Sequence, residues 1–274
     1  MMSEAMTEPQ YSVGRGEHLK LHRRATSGEV SIWPLQPQTP AKPPAVVLGT
    51  GLAVSNISLG VGPHLPVGAV RGGARNRADR ESHELSAAQI ANLLAAAAHA
   101  RRIGLPFTRM VSIHWEAAGV PLGGMATATG RYIDLLSKAL SRHGSATAWL
   151  WVHENGRGKG GHCHLLAHVP PTLVKLVTGL QRRWLRRITR HPYRARVILC
   201  RPIGGRLGLE VGNPDLYLAN FDAALSYCLK GVCSQAAPQF GLDRIQPGGR
   251  IIGKRCGTSQ NIGPKARRSW KQTQ

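Results

Sequence analysis

Trp149-Leu-Trp-Val-His-Glu154-Asn-Gly-Arg-Gly-Lys-Gly-Gly-His162-Cys-His164-Leu-Leu-Ala-His168 is the stretch that decides how this chain is read. Residues 147–154 are rich in aromatic and β-branched types and predict a strand. Residues 155–161 form a glycine-rich basic loop, and 161–169 predict a second strand, so the whole reads as a hairpin. Side chains alternate along a strand. His162 and His164 therefore share one face, while Cys163, Leu165 and Ala167 turn to the other, into a core. Glu154 ends the first strand, and pairing of the two strands brings its carboxylate near both imidazoles. Two imidazoles and a carboxylate with open positions suit a divalent ion and leave room for a substrate. His153 is an alternative to Glu154 in this set. His168 lies on the same face as His162 and His164, as a further ligand, a phosphate contact or a strand-end residue. Trp149 and Trp151 can pack in a core or stack bases, and core is the commoner fate of paired aromatics on a strand.

Working outward, Ser86-Ala-Ala-Gln89 has the spacing of a capping box and predicts a helix running to Arg102, ahead of Gly104. Residues 107–114 predict a strand. Residues 125–143 predict a helix, with Tyr132, Leu135, Leu136, Ala139 and Leu140 at helical spacing. After the hairpin come a helix over 172–190, a strand over 193–201, a loop over 204–214 and a helix over 216–235. The order from 107 is β-α-β-β-α-β-α. It predicts an α+β fold, a ferredoxin-like or RRM-like antiparallel sheet with helices on one face. Residues 1–82, with Pro37-Gln38-Thr39-Pro40-Ala41-Lys42-Pro43-Pro44, read as a poorly ordered arm. Residues 83–236 read as the folded domain, and 237–274 as a flexible, basic, glycine-rich tail.

On the last predicted helix, Tyr227 and Lys230 stand three apart and share a face. A phenol titrates near pH 10, so a nucleophilic tyrosine needs help, which a neighbouring ammonium can give. A tyrosine on an amphipathic helix is otherwise a core residue.

These pieces, in this order, resemble the HUH endonucleases, the rolling-circle replication initiators and their relatives. Phe107-Thr-Arg-Met-Val-Ser-Ile113 resembles that family's first motif, with Arg109 and Met110 where Leu-Thr is usual. Gly161-His162-Cys163-His164 resembles the His-hydrophobic-His motif, and Tyr227-Cys-Leu-Lys230 the Tyr-x-x-Lys motif with a single tyrosine. The resemblance covers about residues 105–235. It implies an RRM-like catalytic domain. It implies Mg²⁺ or Mn²⁺ on His162, His164 and Glu154, and Tyr227 and Lys230 as catalytic residues. It implies nicking and strand transfer through a 5′-phosphotyrosine, on single-stranded DNA or an extruded origin hairpin. The expected setting is the start of plasmid or phage rolling-circle replication, with mobilisation or transposition as variants. No Gly-x-x-x-x-Gly-Lys-Ser/Thr loop occurs, so a helicase is expected in trans.

The charge agrees with a polyanionic partner. Thirty-six Lys and Arg against fourteen Asp and Glu give +22. No acidic residue lies between Glu154 and Glu210, nor from Arg244 onward. Arg157 and Lys159 of the hairpin loop and Arg182, Arg183, Arg186, Arg187 and Arg190 of the helix are expected to carry nucleic-acid backbone. No apolar run is long enough for a membrane span, and the first ten residues lack the apolar core of a secretory signal. The five cysteines form no CxxC pair, which argues against a disulfide framework and a cysteine zinc site. A reduced, cytoplasmic protein is the expectation. Three other readings share these features: an RRM-like binding module without catalysis, a metal-dependent nuclease using activated water, and a basic structural protein.

Overall fold

The computed structural model describes residues 78–203 and 209–273. In chain order its elements are β1 (Glu81–Ser82), α1 (Ala87–Arg102), β2 (Arg109–Ile113), α2 (Met125–Ser141), β3 (Trp149–Gly156), β4 (Gly160–Ala167), α3 (Val174–Thr189), β5 (Ile198–Pro202), α4 (Leu209–Gly212), α5 (Pro214–Leu229), β6 (Ile251–Ile252), β7 (Cys256–Thr258) and α6 (Pro264–Thr273). The expected hairpin is β3–β4. It closes through a short turn in which Gly160 has φ +62°, a left-handed conformation that glycine adopts without strain. A Cβ there would run into the Glu116 carboxylate.

The fold is α+β. Five antiparallel strands run in the order β5-β2-β4-β3-β7, and β1 pairs with β6 in a separate two-stranded sheet. The period-two pattern divides the large sheet into two faces. Val111, Ile113, Trp151, Cys163, Leu165 and Ala167 pack with Tyr132, Leu136 and Leu140 of α2 and Val177, Trp184 and Leu185 of α3. Leu150, Val152 and Leu166 pack with Ile90, Leu93 and Ala97 of α1 and Phe221, Leu225 and Leu229 of α5. The expectation of helices on one face therefore holds for α2 and α3 alone. The ring of apolar residues around α1 and α5 needs a partner too, and the second sheet face supplies it.

Ser86 caps α1 as its spacing predicts: its hydroxyl accepts from the Gln89 amide, and the Gln89 side chain accepts from the Ser86 amide. Asn213 caps α5 ahead of Pro214. α5 ends at Leu229, earlier than the expected 235, and leaves Lys230 as its C-cap.

The termini differ from expectation. Most of the proposed arm lies outside the described residues. Its last two residues, however, form β1, so a boundary at 82 parts an ordered strand from the β6 it pairs with. The segment 237–274 is no flexible extension. β7 is an edge strand of the large sheet, pairing Cys256 with Val152 and Thr258 with Leu150. α6 docks on α1, where Arg267 donates to Asn92 and Trp270 meets His99 edge-on at 5.7 Å. Ile251, Cys256 and Ile262 are buried, which gives this polar, glycine-rich stretch the apolar anchors it needs. The described residues form one compact unit. Among them no helix is long and apolar enough to cross a membrane.

Candidate metal centre and the tyrosine beside it

The register of the hairpin sets Glu154 opposite His162 and Val152 opposite His164. The period of two then aims Glu154, His162 and His164 at the α5 side of the sheet. Their ligand atoms all lie within 4.8 Å of one another. His162 Nε2 is 3.3 Å and His164 Nε2 3.5 Å from the same carboxylate oxygen, Glu154 Oε2. All three side chains are buried.

The far nitrogens are held by the sheet. His162 Nδ1 lies 2.8 Å from the Gly160 carbonyl and donates to it, which leaves Nε2 a bare lone pair. His164 Nδ1 lies 2.9 Å from the Ser112 hydroxyl, which β2 presents directly opposite. Among the described residues His164 Nε2 and Glu154 Oε1 make no hydrogen bond. Buried polar atoms left unpaired are costly, and a cation held by the three side chains would relieve that cost. The mixed nitrogen and oxygen donor set could hold a divalent metal ion.

Electrostatics agree with a cation-binding carboxylate. Burial works to raise the Glu154 pKa. The neighbouring imidazoles and the Lys230 ammonium outweigh it and hold the group below the ordinary carboxylate range. Burial takes His164 down to about 4 against the pull of Glu154, so the ring is neutral and able to coordinate at pH 7. Lys230 is buried and ion-paired to Glu154 Oε2. Burial lowers its pKa, and Glu154 opposes that.

Tyr227 closes the group from α5. Its ring meets the His164 ring edge-on at 4.9 Å. The Lys230 ammonium stands 4.1 Å and the Arg244 guanidinium 5.0 Å from its centroid. Burial raises the Tyr227 pKa, the Glu154 charge adds to that, and Arg244 and Arg201 act against it. Cys228, next in sequence, is fully buried in the core between α5 and the sheet.

The sequence-predicted residues thus fall into two groups. Glu154, His162, His164, Tyr227 and Lys230 come together. Arg157 and Lys159 are exposed at the tip of the β3–β4 hairpin, just beyond the ligand pair, at the same end of the sheet. Arg182, Arg183, Arg186, Arg187 and Arg190 do not join them: α3 covers the opposite sheet face. Trp151 also faces α2 and α3 and is buried, so it stacks no base. His153 faces away from the centre. Its Nδ1 donates to the Lys254 carbonyl at 3.0 Å and its Nε2 accepts from Thr129, which in turn accepts from Trp115. That fully satisfied chain makes it a structural histidine, and the alternative to Glu154 falls. His168 is a strand-end residue whose Nδ1 donates to the Pro106 carbonyl at 2.7 Å.

Three neighbours escaped the sequence reading. Ser112 was legible in principle, since pairing β2 with β4 puts it across from His164. His114 stacks on His162 at 5.4 Å; it is the last residue of the expected first strand but carries no spacing signal. Arg244 comes from the supposed tail, and only the path of the chain reveals it. That path runs close: the Asn155 amide donates to the Gly248 carbonyl, the Gln246 amide to the Lys230 carbonyl. Gly249, with φ +69°, passes where a Cβ would overlap the Asn155 carbonyl. Comparison of the chain with protein-family models, with curated proteins and with solved structures finds no match.

Proposed function

We propose that this chain is a metal-dependent DNA strand-nicking and strand-transfer enzyme of the HUH type, with Tyr227 as its nucleophile. The observation that carries the reading is the position of the Tyr227 ring. It lies edge-on to a cation-compatible Glu154/His162/His164 group, with Lys230 reaching from Glu154 to the ring. The strand order β5-β2-β4-β3, with α2 and α3 as the crossovers, supports the split βαβ arrangement expected of that family.

Glu154, His162 and His164 would hold Mn²⁺ or Mg²⁺. Such an ion polarises the scissile phosphate when bound. The chain's own residues account for the rest. Ser112 and the Gly160 carbonyl orient the imidazoles. Lys230 keeps Glu154 ionised and, with Arg244, places positive charge where a phenolate develops. Tyr227 Oη attacks phosphorus and loses its proton. The bond to the 3′ oxygen breaks, that oxygen takes up a proton, and a 5′-phosphotyrosine remains. Arg157 and Lys159 flank the entry of the strand. The substrate would be single-stranded DNA or an extruded hairpin, and the role initiation of rolling-circle replication with a helicase in trans.

Incubation of the protein with a randomised single-stranded DNA pool and Mn²⁺, followed by denaturing electrophoresis, tests this. A DNA-shifted band is expected, lost in Tyr227→Phe and in EDTA. One observation favours a second reading. Burial raises the Tyr227 pKa, and a phenol that keeps its proton suits a site where metal-activated water is the nucleophile. Metal-dependent shortening of the DNA with no protein adduct would establish that nuclease instead.

A further inference from the structure

The exposed face of α3 is strongly basic and lies on the side of the sheet that the tyrosine does not reach. α3 is anchored by Val177, Gln181, Trp184, Leu185 and Ile188, which are buried. The pattern leaves Arg182, Arg183, Arg186, Arg187 and Arg190 exposed on the outer face. Over these residues the helix rises about 12 Å. None of the five is paired with a carboxylate, the ion pairs among the described residues lying elsewhere. At the C-terminal end of the helix a concavity of about 690 Å³ is lined by Arg182, Arg186, Arg190, His191, Pro192 and Tyr193. Five guanidinium groups held unpaired on one rigid face repel one another, and a polyanion relieves that cost.

The chemistry of the face selects among polyanions. Surfaces for unpaired strands combine cations with open aromatic rings on which bases stack. Here Trp184 is buried in the core and Tyr193 is covered by Arg182, 5.3 Å from the ring centroid. What remains is five guanidinium groups beside a single exposed ring, that of His191, too few for successive bases to stack on, so the face reads phosphates and not bases. The Glu154/His162/His164 group and Tyr227 lie beyond the sheet, towards α5. A strand cut at Tyr227 cannot run along α3 over the same few nucleotides.

We infer that α3 binds the phosphate backbone of duplex DNA through Arg182, Arg186 and Arg190, separately from the strand presented to Tyr227. The second clause rests on the proposed function; the first does not.

The test uses the full chain, a blunt duplex of mixed sequence and a short single-stranded oligonucleotide. Duplex affinity is measured in EDTA across a salt series, so that neither cleavage nor Tyr227 enters the reading. The variant Arg182→Gln/Arg186→Gln/Arg190→Gln changes only exposed side chains. Its comparator, Lys265→Gln/Arg268→Gln/Lys271→Gln on α6, removes the same charge elsewhere. The α3 variant is expected to bind duplex on the order of 100-fold more weakly at physiological salt, with a log–log salt slope shallower by roughly 2.7. The α6 comparator should lose only a few-fold, and Mn²⁺-dependent capture of the short oligonucleotide should persist in both. Equal loss in the two variants would reduce the effect to net charge and overturn the inference, as would unchanged duplex binding. Loss of duplex binding and of oligonucleotide capture together would mean one continuous DNA path, and would overturn the separation. Absence of capture in every variant, wild type included, would count against the proposed function and leave the duplex result standing.

Discussion

Ser112 and His153 show how one sheet assigns opposite fates to polar side chains. Ser112 is half-buried across from His164 and fixes that ring through Nδ1. A ligand whose far nitrogen loses its partner can rotate and becomes less basic. Ser112→Ala is therefore expected to weaken Mn²⁺ binding by roughly 10-fold, read by direct metal titration, with the unfolding temperature in EDTA little changed. An unaltered affinity would remove Ser112 from the account of the centre. His153, buried and fully bonded on the other face, has its pKa taken down to about 3, burial being the main cause. In the unfolded chain a histidine takes up its proton near pH 6.5. Below that pH protonation favours unfolding, so the stability this residue permits is whole above 6.5 and drains away as pH falls. From pH 7 to 5 the loss comes to about 2 kcal/mol. His153→Asn, compared with the wild type by chemical denaturation in EDTA, should show a smaller drop over that interval by about this amount. Equal drops would show that another group controls the acid limb.

At the scale of elements, the hairpin and its glycines set the geometry, and β7 completes it. Gly257 packs directly beneath Trp151: an added Cβ would lie 2.9 Å from the indole. Gly257→Val must push either the indole or the edge strand aside, at a cost of about 1–3 kcal/mol. We expect a lower denaturation midpoint with an unchanged denaturant slope, and weaker capture of DNA if β7 is what moves, because Arg244 arrives on the same segment. The elements were largely legible in the sequence. The capping box of α1, the β3–β4 hairpin and the facing of Glu154, His162 and His164 follow from local spacing, and local spacing survives folding. β6, β7 and α6 were not. Ile251-Ile252 and Cys256-Gly257-Thr258 are too short to show a period, and their stability comes from strands far back in the chain. Lys230 and Tyr227 were legible as neighbours on a helix. The ion pair from Lys230 to Glu154 was not, since nothing in either segment encodes the distance between them.

Over the whole molecule, charge and topology answer different questions. A formal charge of +22 points to a polyanionic partner but cannot say which surface meets it. The sheet supplies that division, with the acid-free hairpin tip at one end and the arginine face of α3 behind. The hairpin and α3 cations were both expected to carry nucleic-acid backbone, and a sheet with two covered faces separates them. The topology also fixes an order of events. Glu154, His162, His164 and Tyr227 all leave the ribosome before Arg244, and well before β7, which covers the outer edge of β3. A nascent chain can thus display every metal ligand and the tyrosine while the outer edge of β3 is still open and the tyrosine lacks its second cation. If Tyr227 joins itself to DNA, that chemistry is best withheld until the segment carrying Arg244 has been made and has docked. A nucleophile whose second cation comes from a later segment of the chain carries its own delay.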